Sequence, residues 1–267
     1  MDNSKIAILS TVNNFTLYRK SSLLYPSNIN SYVIDGRNGM FGIDSIMYMM
    51  RKFKNKDIDW VILMDEDVLL IEPKGLFPLI EYMSENDFIT CGVRDGGMLP
   101  ERSGNPYVIN PFFSILNLRK IKSLWNRKKV LKEHYILNDE FEDDLSHLIY
   151  DYNVLSMSEP YYCFYFWLKR IGEKALYLDT YLPFKEDSIT NLVLDHEKKP
   201  LLYHTWFSRE YGDKRGRHTD RIDSVFKKFD FSDTKSSSPF IFKDSLFPLK
   251  RRKRRLIKNL KKRFGGF

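Results

Sequence analysis

Cysteine is scarce in this chain, with only Cys91 and Cys163 among 267 residues. Two thiols cannot build a disulfide framework, so a reducing compartment is expected. Long apolar runs are missing as well. The longest, Tyr161 to Leu168, falls far short of the ~20 residues that cross a bilayer. The opening Met-Asp-Asn-Ser-Lys runs straight into Ile6-Ala7-Ile8-Leu9, with no basic segment or long apolar stretch before a cleavage site, so no signal peptide is read. These absences set the expectation of a cytoplasmic protein, or one lying on the inner face of a membrane without crossing it. No Gly-x-x-x-x-Gly-Lys-Ser/Thr loop occurs, which excludes a P-loop enzyme, and there is no internal repeat. Aromatic residues are plentiful: 20 Phe, 16 Tyr and 4 Trp. With 43% hydrophobic and 29% charged residues, the composition is that of an ordinary globular chain large enough for a single core.

The charge is uneven. Of the formal +8, residues 250–263 carry ten cations and no acid, leaving −2 for everything else. The basic character therefore belongs to the C-terminal segment, and the slightly acidic body argues against a nucleic-acid partner. The serine run at 236–238 reads as a linker. It divides the chain into a domain over 1–235 and a tail over 236–267.

Short β-rich runs alternate with helical spacings, the pattern of an α/β fold with a mostly parallel sheet. Strands are predicted at Lys5–Ser10, Ser31–Ile34, Trp60–Met64, Phe88–Val93, Phe112–Leu116, Ala175–Leu178 and Leu201–His204. Apolar residues at 43, 46, 47, 50 and 53 predict a helix over Ile43–Phe53. Helices are also predicted over Leu76–Met83, through the basic stretch ending at Leu131, and over Tyr161–Ile171, the last closed by Gly172.

The sharpest feature is Asp65-Glu66-Asp67, placed directly after the apolar run Trp60–Met64 and before Val68-Leu69-Leu70. Carboxylates are costly there unless compensated. The carboxyl end of a parallel strand is also where open α/β sheets bind ligands. Asp65 and Asp67 can hold a hard divalent cation, a diphosphate completing its shell. Asp57-Ile58-Asp59 has the same spacing with no strand before it and reads as a solvated turn.

In this arrangement the chain resembles the GT-A class of nucleotide-sugar glycosyltransferases, across roughly residues 5–212. The resemblance implies a Rossmann-like α/β sheet flanked by helices. It also implies an Asp-x-Asp signature binding Mn²⁺ or Mg²⁺ with the sugar nucleotide, a UDP-sugar being favoured. Asp65 would then serve nucleotide or metal, and Asp67 the metal. His204, ending the apolar run Leu201-Leu202-Tyr203, resembles the late histidine that family 8 enzymes use as a further metal ligand; imidazole suits Mn²⁺. The other histidines, at 134, 147, 196 and 218, lie in charged stretches and are not read as ligands. Arg209 is placed to neutralise a diphosphate. Thr11, Asn13 and Asp35 fall where such a domain holds base and ribose. Asp95 and Asn110 fall where it meets the donor sugar and acceptor. Glu159 resembles the catalytic base at the helix start of family 2 enzymes, although Pro160 replaces the expected second acid. Asp144, in the acidic cluster 139–144, competes for that role by its likeness to family 8. Glu159 as base implies inversion, and the family 8 likeness implies retention.

The resemblance implies transfer of a sugar to a glycan or lipid-linked acceptor, as in surface lipopolysaccharide or capsule assembly. Rival readings are a Mg²⁺-dependent nucleotidyl- or phosphotransferase, and a nucleic-acid-associated protein binding through its tail. Within that tail Leu256, Ile257, Leu260 and Phe264 recur at helical spacing amid cations, so residues 249–267 are expected to form a basic helix lying on an anionic membrane surface.

Overall fold

The computed structural model describes residues 2–96, 99, 102, 104–213, 217–231 and 238–264, and of Lys258 and residues 261–264 only the backbone. Gly97 and most of the serine run at 236–238 lie outside these residues, as do the side chain of Phe264 and those of the tail lysines 258, 261 and 262. In chain order the elements are β1 (Ile6–Val12), α1 (Phe15–Ser21), β2 (Asn30–Asp35), α2 (Ile43–Phe53), β3 (Trp60–Met64), β4 (Val68–Leu70), α3 (Leu76–Glu85), β5 (Phe88–Arg94) and β6 (Ile109–Asn117). Then follow α4 (Leu118–Leu124), α5 (Arg127–Lys132), α6 (Tyr162–Arg170), β7 (Lys174–Tyr177), β8 (Thr180–Tyr181), β9 (Asn191–Leu194), β10 (Pro200–His204), α7 (Thr219–Phe226), β11 (Phe240–Phe242) and α8 (Phe247–Phe264).

Seven strands form the central sheet in the order β11-β2-β1-β3-β6-β5-β7. Four neighbouring pairs are parallel, and β6 runs antiparallel between β3 and β5. This is the expected mostly parallel α/β arrangement, a central sheet flanked by helices. Alternation along the strands feeds two cores. Ile6, Ile8, Ile62 and Met64 pack on one face with α1, α3 and α7. Ala7, Leu9, Val61 and Leu63 pack on the other with α2, α4 and α6. All five residues of β3 are buried, which explains its uninterrupted apolar run. A second sheet, β4-β10-β9-β8, is antiparallel and closes one edge of the first core.

Several boundaries differ from the sequence expectation. β1 reaches Val12, so Thr11 lies in the strand and not after it. β6 starts at Ile109, which places Asn110 within a strand. The basic helix divides at Trp125-Asn126, where the Asn126 side chain caps α5. The segment past Gly212 holds α7 and β11, and β11 pairs in parallel with β2 through Phe240, Ile241 and Phe242. The central sheet thus extends beyond residue 235, and Phe247 at the start of α8 is buried in the second core. Among the described residues no helix is long and apolar enough to cross a membrane.

Candidate active site

β3 ends at Met64 and β4 begins at Val68, so the three acids fill the short passage from one sheet to the other. Antiparallel pairing sets His204 of β10 opposite Val68. The Thr205 N–H and hydroxyl both donate to the Asp67 carbonyl, at 3.0 and 3.2 Å. Asp67 and His204 therefore meet: Oδ1 and Nε2 stand 3.5 Å apart. Both residues are buried, 3% and 2% exposed. The imidazole stacks on Phe112, with ring centroids 3.8 Å apart, and lies 4.2 Å from the Trp206 ring. Burial holds the His204 pKa below its usual value against the pull of Asp67, so the ring is neutral at neutral pH. Its buried Nδ1 has no hydrogen-bond partner among the described residues.

Glu66 has a different task. Its Oε1 accepts from the N–H groups of Asn13 and Asn14, at 3.1 and 3.0 Å, tying the exit of β1 to the exit of β3. Burial, then the neighbouring Asp67, push its carboxyl up to about 7. Asp65 is raised well above the usual carboxylate range by burial and then by Glu66 and Asp67, with Arg209 opposing. The Asp65 and Glu66 carboxyl groups are destabilised as anions, and an added cation would relieve them.

Asp65 lines a cleft with Thr11, Asn13, Glu66, Phe41 and Arg209. The Arg209 guanidinium lies 4.9 Å from the centre of the Phe41 ring. Its short turn is fastened by Asn14, whose Nδ2 donates to the carbonyls of Ser208 and Tyr211 at 3.0 and 2.7 Å. Asp67 and His204 do not line this cleft. Among the described residues no group of three His, Cys, Asp or Glu is assembled to hold a metal. The expected set Asp65, Asp67 and His204 thus divides into a buried oxygen–nitrogen pair and a separate cleft carboxylate.

A second cluster surrounds Asp95, which is fully buried. Its carboxylate accepts from Asn110 Nδ2 at 2.6 Å, from Arg102 at 3.2 Å and from the Tyr162 hydroxyl. Burial at this depth needs close backbone approach: a Cβ on Gly104 would stand 2.2 Å from the Asp95 carbonyl oxygen. Arg102 also reaches Glu159, 3.7 Å away, and lies 5.2 Å from the Trp206 ring. The run Asp67, His204, Trp206, Arg102 therefore joins the two clusters. Glu159 is half-buried; burial raises its pKa, while Arg102 and Arg209 oppose the shift. It lies before α6, whose cap is Tyr161, so it does not open the helix as expected.

Two expected residues sit elsewhere. Asp35 is held by Arg37 through two bonds of 2.9 and 2.7 Å, and its carboxyl is lowered by them. Asp144 is exposed, and its carboxylate caps the Ser146 N–H at 2.9 Å. The acids beside it tie down α6 through Asp143–Lys169 and Glu140–Arg170 pairs.

The sequence reading passed over Arg221. After His204 the chain turns through Trp206 and Phe207 at φ 56° and 59°, a left-handed conformation costly for bulky residues. Arg221 of α7 donates to the carbonyls of Thr205 and Trp206 and, at 2.8 Å, to the Thr190 hydroxyl. Trp206 Nε1 donates to Asn191 at 2.7 Å. Ile222, Val225 and Phe226 carry the helical spacing from which α7 was readable.

No protein-family model matches the chain, and no curated protein matches it. Among solved structures, A197 from STIV is 14% identical over 74% of this chain and 93% of its own, with a TM-score of 0.37. A mannosyltransferase from Pyrobaculum calidifontis in complex with GDP-Man and Mn²⁺ is 10% identical over 45% of this chain and 46% of its own, at 0.28. A glycosyltransferase involved in the glycosylation of the major capsid of PBCV-1 is 18% identical over 47% and 68%, at 0.29.

Proposed function

We propose that this protein is a metal-dependent glycosyltransferase taking its sugar from a nucleoside diphosphate, with a uridine nucleotide favoured. The carrying observation is the Asp65-Glu66-Asp67 passage at the carboxyl end of β3, where Asp67 meets His204 and Asp65 shares a cleft with Thr11, Asn13 and Arg209. Asp67 and His204 would hold the cation. A hard carboxylate oxygen and a neutral imidazole suit Mn²⁺, and Mg²⁺ is the oxygen-preferring alternative. When bound, the metal supplies Lewis-acid stabilisation of the departing diphosphate.

Arg209 adds a cation at the cleft rim, placed for the same diphosphate. Thr11 and Asn13, at the end of β1, offer polar contacts to the nucleoside. Asp35 is already satisfied by Arg37, so its contact with a nucleotide would require that pair to open. Asp95 and Asn110 act together as a buried hydrogen-bonded unit that positions Arg102 and Tyr162 at the sugar side. Glu159 is the proposed base that takes the proton from the acceptor hydroxyl. It is half-buried with a raised pKa, the property a base needs to work near neutral pH. Asp144, exposed and engaged with Ser146, is the weaker candidate. With Glu159 as base the transfer is a direct displacement that inverts the anomeric centre. The acceptor is a glycan or lipid-linked glycan of a surface polysaccharide.

The test is release of sugar from a panel of nucleoside diphosphate sugars, with Mn²⁺ or Mg²⁺ and with excess chelator. Turnover of one donor that stops on chelation is expected. Turnover unaffected by chelation, or none across the panel, overturns the reading.

A further inference from the structure

Helix α8 carries ten cations and no acid, and it lies the unusual way round on the body. An amphipathic helix normally turns its apolar stripe to the core. Here the docked side is the charged one. Phe247 is buried at the helix start, Arg251 lies 5.6 Å from the Phe41 ring, and Arg254 grips Asp44 at 2.7 and 3.2 Å. Lys250 pairs with Asp244 at 3.0 Å. The leucines at 246, 249, 256 and 260 share one stripe at helical spacing. They are 59%, 64%, 56% and 54% exposed, and so face away from the body. Arg252, Lys253 and Arg255 are exposed beside them and pair with no acid among the described residues.

We infer that α8 docks this protein on an anionic lipid surface, the four leucines entering the headgroup boundary and Arg252, Lys253 and Arg255 meeting lipid phosphates. Charge decides the occupant. A second copy of the chain would bring ten cations against ten, which like-charge repulsion opposes. A nucleic acid would use the cations but leave the leucine stripe uncovered. A bilayer with anionic headgroups matches both features, and Lys253, within the stripe, has a stem long enough to lift its charge to the phosphate level. The contact of Arg251 with Phe41 places the docked helix against a wall of the Asp65 cleft. The docking stands without the proposed reaction; only its use in reaching a lipid-linked acceptor rests on that reading.

The test uses the full-length protein and no substrate. Co-sedimentation with vesicles of phosphatidylglycerol and phosphatidylcholine in equal parts is compared with phosphatidylcholine alone. The protein is expected to sediment with the anionic vesicles only and to be released at about 0.5 M salt. L256Q/L260Q is expected to lower partitioning about tenfold, the scale of two partly buried leucines. R252Q/R255Q is expected to lower it about thirtyfold, at about 1 kcal/mol per cation. Both pairs are exposed, so unchanged circular dichroism should accompany the loss. Equal binding by L256Q/L260Q and wild type overturns the inference, as does equal binding to both vesicle types or none to either. A wild-type dimer that L256Q/L260Q dissociates in the ultracentrifuge overturns it in favour of self-association. Chelation leaves vesicle binding unchanged, so failure of the proposed reaction and failure of docking are read separately.

Discussion

The two ends of β3 carry the same aspartate spacing and meet opposite fates. Before the strand, Asp57 is 82% exposed and pairs loosely with Lys5, while Asp59 is held by the exposed Arg119. After the strand, the Asp67 side chain is 5% exposed against His204, and Asp65 and Glu66 are pushed above the ordinary carboxylate range. The difference comes from what the chain does next. At the amino end it leaves a surface loop. At the carboxyl end it passes between two sheets, where β10 and the exit of β1 close over it. Spacing alone carries no function; a strand's carboxyl end, roofed by a second sheet, gives the acids an environment in which charge is scarce and a cation is welcome.

The comparison breaks most visibly under exchange of single carboxylates. Asp67→Asn is expected to lower metal-dependent sugar release by about a hundredfold or more, whereas Asp59→Asn stays within about twofold of wild type. Steady-state assays of both variants at saturating metal decide it. Glu159→Gln is expected to reduce transfer to acceptor about a hundredfold. Because burial raises this carboxyl, wild-type transfer should fall as pH drops through a value above the usual carboxylate range, and that limb should vanish in the variant. A pH–rate profile checks both statements. Arg221→Ala removes the donors to the Thr205 and Trp206 carbonyls and should cost about 2 kcal/mol in urea unfolding, with Arg221→Lys recovering part. The smallest effect belongs to the other end of β3. Arg119→Ala should change stability by about 0.5 kcal/mol or less, since an exposed ion pair contributes little.

How much of this was legible beforehand follows the same division. Ile43–Phe53 and Trp60–Met64 were read residue for residue, because one carries a clean helical period and the other is buried on both faces. Leu201–His204 was placed within a residue. What escaped was non-local. Nothing in Val68-Leu69-Leu70 says that the chain changes sheets there. Glu66 looked like a filler between two aspartates, yet its partners are backbone groups of β1's exit, more than fifty residues away in sequence. Past Gly212 the polar composition outweighs the helical spacing of α7 and the short apolar run of β11, whose few apolar residues suffice because they dock on a core that other elements have built. In α8 the stripe from Leu256 to Leu260 was readable, but its extension to Leu249 and to Leu246 just before the helix, and the outward direction of all four, needed the docked helix.

The most direct test of the central claim is Mn²⁺ binding itself, measured by isothermal titration calorimetry in the presence of UDP with wild type, Asp67→Asn and Asp59→Asn. One saturable site is expected in wild type, the same site in Asp59→Asn, and its loss or a weakening of about tenfold or more in Asp67→Asn. Identical binding by all three proteins, or binding by none, would contradict it.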